Sequence, residues 1–145
     1  MRPSKTLKTL LWVNELRETQ AKEEFQKAQR ALQELEEMLQ EIARRPEKLY
    51  AQVKGQTLSG EELRLFAQQI SQARREKEKV EQILQKKRQE VEELRQKAVQ
   101  AYQQRRMAEI LHERAVEAYQ RELEEEERKA LDDMVLLRRD KDVRF

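Results

Sequence analysis

A chain of 145 residues with 41% charged and 37% hydrophobic side chains, two glycines, two prolines and a strongly negative mean hydropathy fits a long helix or coiled coil, and argues against a compact globular core. Its 31 Lys and Arg against 29 Asp and Glu leave a formal charge of +2, which gives no general electrostatic drive toward nucleic acid. The lack of cysteine excludes disulfides and thiolate metal sites and fits a reducing compartment.

The first element is a helix expected over about residues 5 to 54. Its apolar seam reads Leu7, Leu11, Asn14, Glu18, Ala21, Phe25, Ala28, Leu32, Leu35, Leu39, Ile42, Pro46, Leu49 and Val53, alternately three and four apart. That is the heptad spacing of a coiled coil, with lapses at Asn14, Glu18 and Pro46. Near its start Leu10, Leu11, Trp12 and Val13 are consecutive, more apolar surface than one stripe buries. Trp12 therefore suits either a partner contact or packing against the opposing arm near Tyr102. Pro46 lacks a backbone donor and crowds the preceding turn, so a kink or short break is expected around Arg44 to Pro46.

A turn follows over about residues 55 to 59. Lys54-Gly55 closes the first helix, because glycine takes the left-handed conformation that satisfies the last carbonyls. Ser59 with Glu62 three residues on reads as a capping box, flanked by Leu58 and Leu63 as a hydrophobic staple.

The second helix is expected over about residues 60 to 138, with a seam of Leu63, Phe66, Ile70, Ala73, Lys77, Val80, Leu84, Lys87, Val91, Leu94, Ala98 and Ala101. Each helix carries one stripe, and the two stripes bury most simply against each other. The fold class is all-α: a single antiparallel coiled-coil hairpin over residues 1–145 with a C-terminal helical overhang. If the turn centres near residue 57, position i faces roughly 114 minus i, so residues from about 109 to 137 overhang by about 45 Å. The overhang keeps apolar positions at Leu111, Ala115, Tyr119, Leu123, Ala130, Met134 and Leu137. A bare amphipathic helix gains little from tertiary packing, and docking in a complex gives it a reason to exist.

Chemistry-bearing constellations are missing: no phosphate-binding glycine loop and no nucleophile beside a base. No enzymatic activity and no cofactor or metal is expected. His112, the lone histidine, sits on the continuation of the seam and is assigned to structure. The basic clusters Arg44-Arg45, Arg74-Arg75, Lys86-Lys87-Arg88 and Arg105-Arg106 each have acidic neighbours and read as ion-paired surface. The acidic stretch Glu122 to Glu127 reads as a solvated face, with a basic partner as the alternative. No apolar run approaches the roughly 20 residues of a membrane span, and the start Met1 to Thr6 lacks a signal-peptide stretch, so a cytoplasmic location is expected.

Several segments together resemble the FliJ family of the bacterial flagellar type III export apparatus. These are Leu7, Leu10, Leu11, Arg17 and Glu18 at the start, Tyr50 before Gly55, Leu63 to Ile70 after the turn, and Arg121 to Arg139, which reads RELEEEERKALDDMVLLRR. The likeness covers nearly the whole chain, and the injectisome stalk family, YscO-like, is its nearest neighbour. It implies a non-catalytic stalk similar to the γ-subunit of rotary ATPases, serving flagellum biogenesis and, through motility, chemotaxis. The implied partners are the export ATPase hexamer, the cytoplasmic domain or linker of the export gate, and export chaperones, with no nucleic acid. Any membrane association would be peripheral, at the cytoplasmic face of the inner membrane and through partners. The resemblance assigns Phe66, Ile70 and Ala73 to the gate, Lys77 departing from the pattern. It assigns Leu7, Leu11, Trp12, Leu123, Ala130, Met134 and Leu137 to the ATPase ring. A generic coiled-coil scaffold and a basic binder of nucleic acid or membrane surfaces are the competing classes, the latter marked by steep salt dependence.

Overall fold

The computed structural model describes residues 4–143 and is all-α: two long helices, α1 (Lys5–Val53) and α2 (Gly60–Val143), pack against each other, with no strand among the described residues. The chain forms two compact units. One comprises Gln20–Val99, and the other comprises Met1–Thr19 with Gln100–Phe145.

The unit of residues 20–99 contains the turn. Gly55 has φ of +80°, the left-handed backbone that only glycine adopts without strain, and the Gln56 amide donates to the Val53 carbonyl at 3.1 Å to close α1. The capping box forms as the spacing predicts: the Glu62 amide donates to Ser59 Oγ at 3.3 Å, and the Ser59 amide donates to Glu62 Oε2 at 3.4 Å. Two of the orphan donors at this helix start are thereby satisfied. Ser59→Ala should cost about 0.5–2 kcal/mol in chemical denaturation, whereas the exposed mid-helix Ser71→Ala should stay within experimental error. Equal effects would remove the cap from any role in stability.

Within this unit Ala28, Ile42, Ile70, Ala73 and Leu84 are buried, while Phe25, Leu32, Leu35, Leu39, Leu49, Val80, Val91 and Leu94 are half-buried between the helices. Arg45 pairs with Glu76 at 2.6 Å and Arg88 with Glu36 at 3.8 Å, both bridging α1 to α2 across exposed edges. Three expectations need correction. The helix runs through Pro46 without a break, because one lost hydrogen bond is outweighed by the turns on either side and by burial of Ile42 one turn earlier. Leu63 is 54% exposed, so it neither opens the seam nor staples the cap. Lys77 is exposed as well; Glu76 takes the half-buried position beside it and meets Arg45.

The second unit holds the first turns of α1 and the C-terminal half of α2. Ser4 caps α1, its Oγ accepting from the Thr6 amide at 3.1 Å, a cap the heptad pattern did not reveal. Leu7, Leu11, Asn14 and Glu18 turn inward, opposite Ala101, Arg105, Ala108, His112 and Ala115, which are buried or half-buried. Coverage of α2 ends at Tyr119, and from Gln120 to Asp140 every residue is exposed. The uncovered length therefore begins near residue 120 rather than 109. The physical reason lies at the turn: α2 first becomes covered at Phe66 and Ile70, so its opening turns run free and every later pairing is displaced by roughly two to three turns.

Candidate functional site

Among the described residues, the unit holding both chain ends has two accessible apolar regions that its own packing leaves unexplained. There, the first turns of α1 carry apolar residues on the solvent side as well as on the seam, among polar and charged neighbours. Leu7 and Leu11 are half-buried on the seam side, while Leu10, Trp12 and Leu16 face solvent at 43%, 60% and 43% exposure. Lys5, Thr6, Thr9, Leu10, Val13 and Arg17 line a shallow groove along the same helix. Apolar side chains clustered on the solvent side of a helix mark a surface suited to contact with another molecule. The alternative of Trp12 packing against Tyr102 is not taken: Trp12 is solvent-facing, and the Tyr102 ring instead carries the Arg105 guanidinium 5.0 Å from its centroid.

On α2 the uncovered stretch presents Leu123, Leu131, Met134, Val135, Leu136 and Leu137, with Ala130 among them, all exposed. Leu131, Met134, Val135, Leu137 and Arg138 border one shallow concavity, an apolar floor with a guanidinium at its rim. Leu131, Val135 and Leu136 belong to this surface although the heptad reading passed over them. The spacing of Leu131 to Val135, one turn apart, is the signal that marks them. Arg138 and Arg139 are exposed beside it; the side chains of Lys141 and Arg144, members of the same basic end, lie outside the described residues.

Beyond Leu7 and Leu11 the seam turns polar. Asn14 and Glu18 are 6% and 7% exposed. Arg105 donates from Nε to Glu18 Oε2 at 2.5 Å and from Nη1 to Glu109, while Arg106 donates to Glu109 at 2.6 Å. The Glu18 carboxylate holds the Arg105 guanidinium above its already high ordinary pKa, so Arg105 remains charged throughout the range in which proteins are folded.

Near the turn the residues singled out for a gate contact separate into two kinds. Ile70 and Ala73 are buried at 7% and 5% exposure. Phe66 is half-buried, its ring edge-on to Tyr50 with centroids 5.2 Å apart and planes at 74°. The apolar groups open to solvent there are Tyr50, Leu63 and Leu65. If Phe66 serves a gate contact, its truncation to alanine should weaken binding to a gate fragment while costing less stability than the roughly 3–5 kcal/mol of a fully buried Phe; an intact affinity with a large melting loss would make Phe66 purely a packing residue.

Among the described residues no cluster of His, Cys, Asp or Glu could hold a metal ion, and no helix is long and apolar enough to cross a membrane. A family model described as Flagellar FliJ protein matches residues 3–141 of the 145. No curated protein and no solved structure matches the chain.

Proposed function

Since the chain belongs to the flagellar FliJ family, and is thereby a component of the flagellar export apparatus, we propose that it is a non-catalytic stalk that joins the export ATPase ring to the export gate. The stalk is an antiparallel coiled-coil hairpin, a reading supported by the order of its ion pairs. Residues early in α1 meet residues late in α2: Glu18 meets Arg105, Glu36 meets Arg88, and Arg45 meets Glu76. The same frame sets Leu7 opposite Ala115, Leu39 opposite Leu84, and Val53 opposite Ile70.

The observation that carries the function is the uncovered apolar length of α2 beyond Gln120 together with the solvent-facing Leu10, Trp12 and Leu16 of α1. Twenty-odd exposed helical residues gain no tertiary stabilisation by themselves, and a ring of ATPase subunits supplies the missing surface. Leu7, Leu11, Trp12, Leu123, Ala130, Met134 and Leu137 are the contacts expected there. The end containing the turn, with Phe66 and its neighbours, faces the gate. The protein then resides in the cytoplasm and reaches the inner membrane only through these partners, with export chaperones as further binders. Mixing the purified protein with the export ATPase tests this reading: comigration and a higher rate of ATP hydrolysis are expected. Failure of both would leave the chain a scaffold without a place in the ring.

A further inference from the structure

The covered part of the unit holding both chain ends is built differently from an ordinary coiled-coil seam. On the α1 side only Leu7 and Leu11 are large apolar groups, and the next two seam positions are the buried Asn14 and Glu18. On the α2 side the seam centre offers the small Ala101, Ala108 and Ala115, with Arg105 and His112 between them; Ile110, Val116 and Tyr119 are half-buried. Glu18 and Arg105 form an ion pair with side chains only 10% and 20% exposed. The buried Nε2 of His112 has no hydrogen-bond partner among the described residues. Asn14 spends its amide donor on the Leu10 carbonyl of its own helix, at 2.8 Å, and so adds no bond between the helices through it.

We propose that this segment is a releasable clasp: the first turns of α1, to Thr19, separate from α2 residues 101–119 as one unit while the seam around Leu84 stays closed. Burying an ion pair roughly cancels its own attraction against lost hydration, so the Glu18–Arg105 layer orients the helices and adds little to their adhesion. When the clasp opens, both charges and the His112 nitrogen recover water, which makes opening inexpensive. Loss of the α1 cover lowers the protection of α2 as well, because a lone helix is marginal in water. Opening exposes the inward sides of Leu7, Leu11, Ala108 and Ala115, and lengthens the uncovered part of α2 back toward Ala101. The clasp does not depend on which partner takes the exposed surface.

Hydrogen exchange on the full-length protein tests it. Amides of residues 7–19 and 101–119 should exchange together, about ten-fold or more faster than those of 28–49 and 73–94. The double variant Glu18→Leu/Arg105→Leu should slow both segments by about ten-fold, leaving the seam around Leu84 unchanged. Asn14→Leu, a gentler change, should shift both in the same direction. Simple end fraying predicts otherwise: exchange would slow gradually from residue 7 to 19 and from 119 to 101 instead of uniformly within each segment, and the leucine pair would not alter residues 7–11 or 112–119. Either of those results overturns the clasp.

Discussion

Leu84→Ala and Ile70→Ala should each lower stability by about 2–5 kcal/mol, read as a shift of the urea midpoint at constant slope. Leu84 is only 3% exposed and Ile70 7%, so truncating either opens a cavity between two helices that have no second layer to collapse into it. Ala73 admits no such test by truncation, but Ala73→Leu should destabilise by overpacking, by about 1–3 kcal/mol. These magnitudes bear on function. A surface that contacts a gate is expected to tolerate truncation without unfolding, and Ile70 and Ala73 do not belong to that class. A gate contact near the turn is therefore best probed through Phe66, Tyr50 and Leu63, which retain accessible apolar surface. Should Ile70→Ala melt like the parent protein, the packing around Ile70 would have to be looser than its burial implies, and the residue would return to the binding surface.

How much of this was legible in the sequence depends on the range of the interaction involved. Every seam position read from the first helix, Leu7 through Val53, is buried or half-buried, because a heptad repeat is a property of one helix and needs no knowledge of its partner. The capping box at Ser59 and Glu62 and the left-handed Gly55 are equally local. Register is a different matter. It required knowing that α2 runs free until Phe66, and a turn centre taken from the glycines alone placed the uncovered helix eleven residues too early, at 109 instead of 120. Glu18 then looked like a lapse in the pattern, when its partner was Arg105, 87 residues away. At Pro46 the local rule was sound and tertiary packing overrode it. The seven residues assigned to an ATPase contact came from resemblance; among them Trp12, Met134 and Leu137 are the most solvent-facing, with 60%, 65% and 64% exposure.

Removal of Asp132 to Phe145 should leave the melting transition nearly in place and abolish most of the stimulation of the export ATPase. From Gln120 to Asp140 no residue is covered by the rest of the chain, so among the described residues the deletion removes no buried apolar contact, and the expected change is within about 0.5 kcal/mol. Yet it takes away Met134, Val135, Leu136 and Leu137, the longest run of consecutive exposed apolar residues among those described. Such an exposed apolar stretch ordinarily marks a contact with another molecule. Two contributions can be separated. Arg138→Glu/Arg139→Glu retains the apolar face while reversing the charge at its edge, and its effect should shrink as salt rises, since exposed charges are screened over about 8 Å at physiological ionic strength. Met134→Ser/Leu137→Ser retains the charge and should lose stimulation at every salt concentration. If the truncated protein instead drives ATP hydrolysis as well as the full chain, the ring contact must rest on Leu10, Trp12 and Leu16 of α1, and Trp12→Ala becomes the variant that abolishes it.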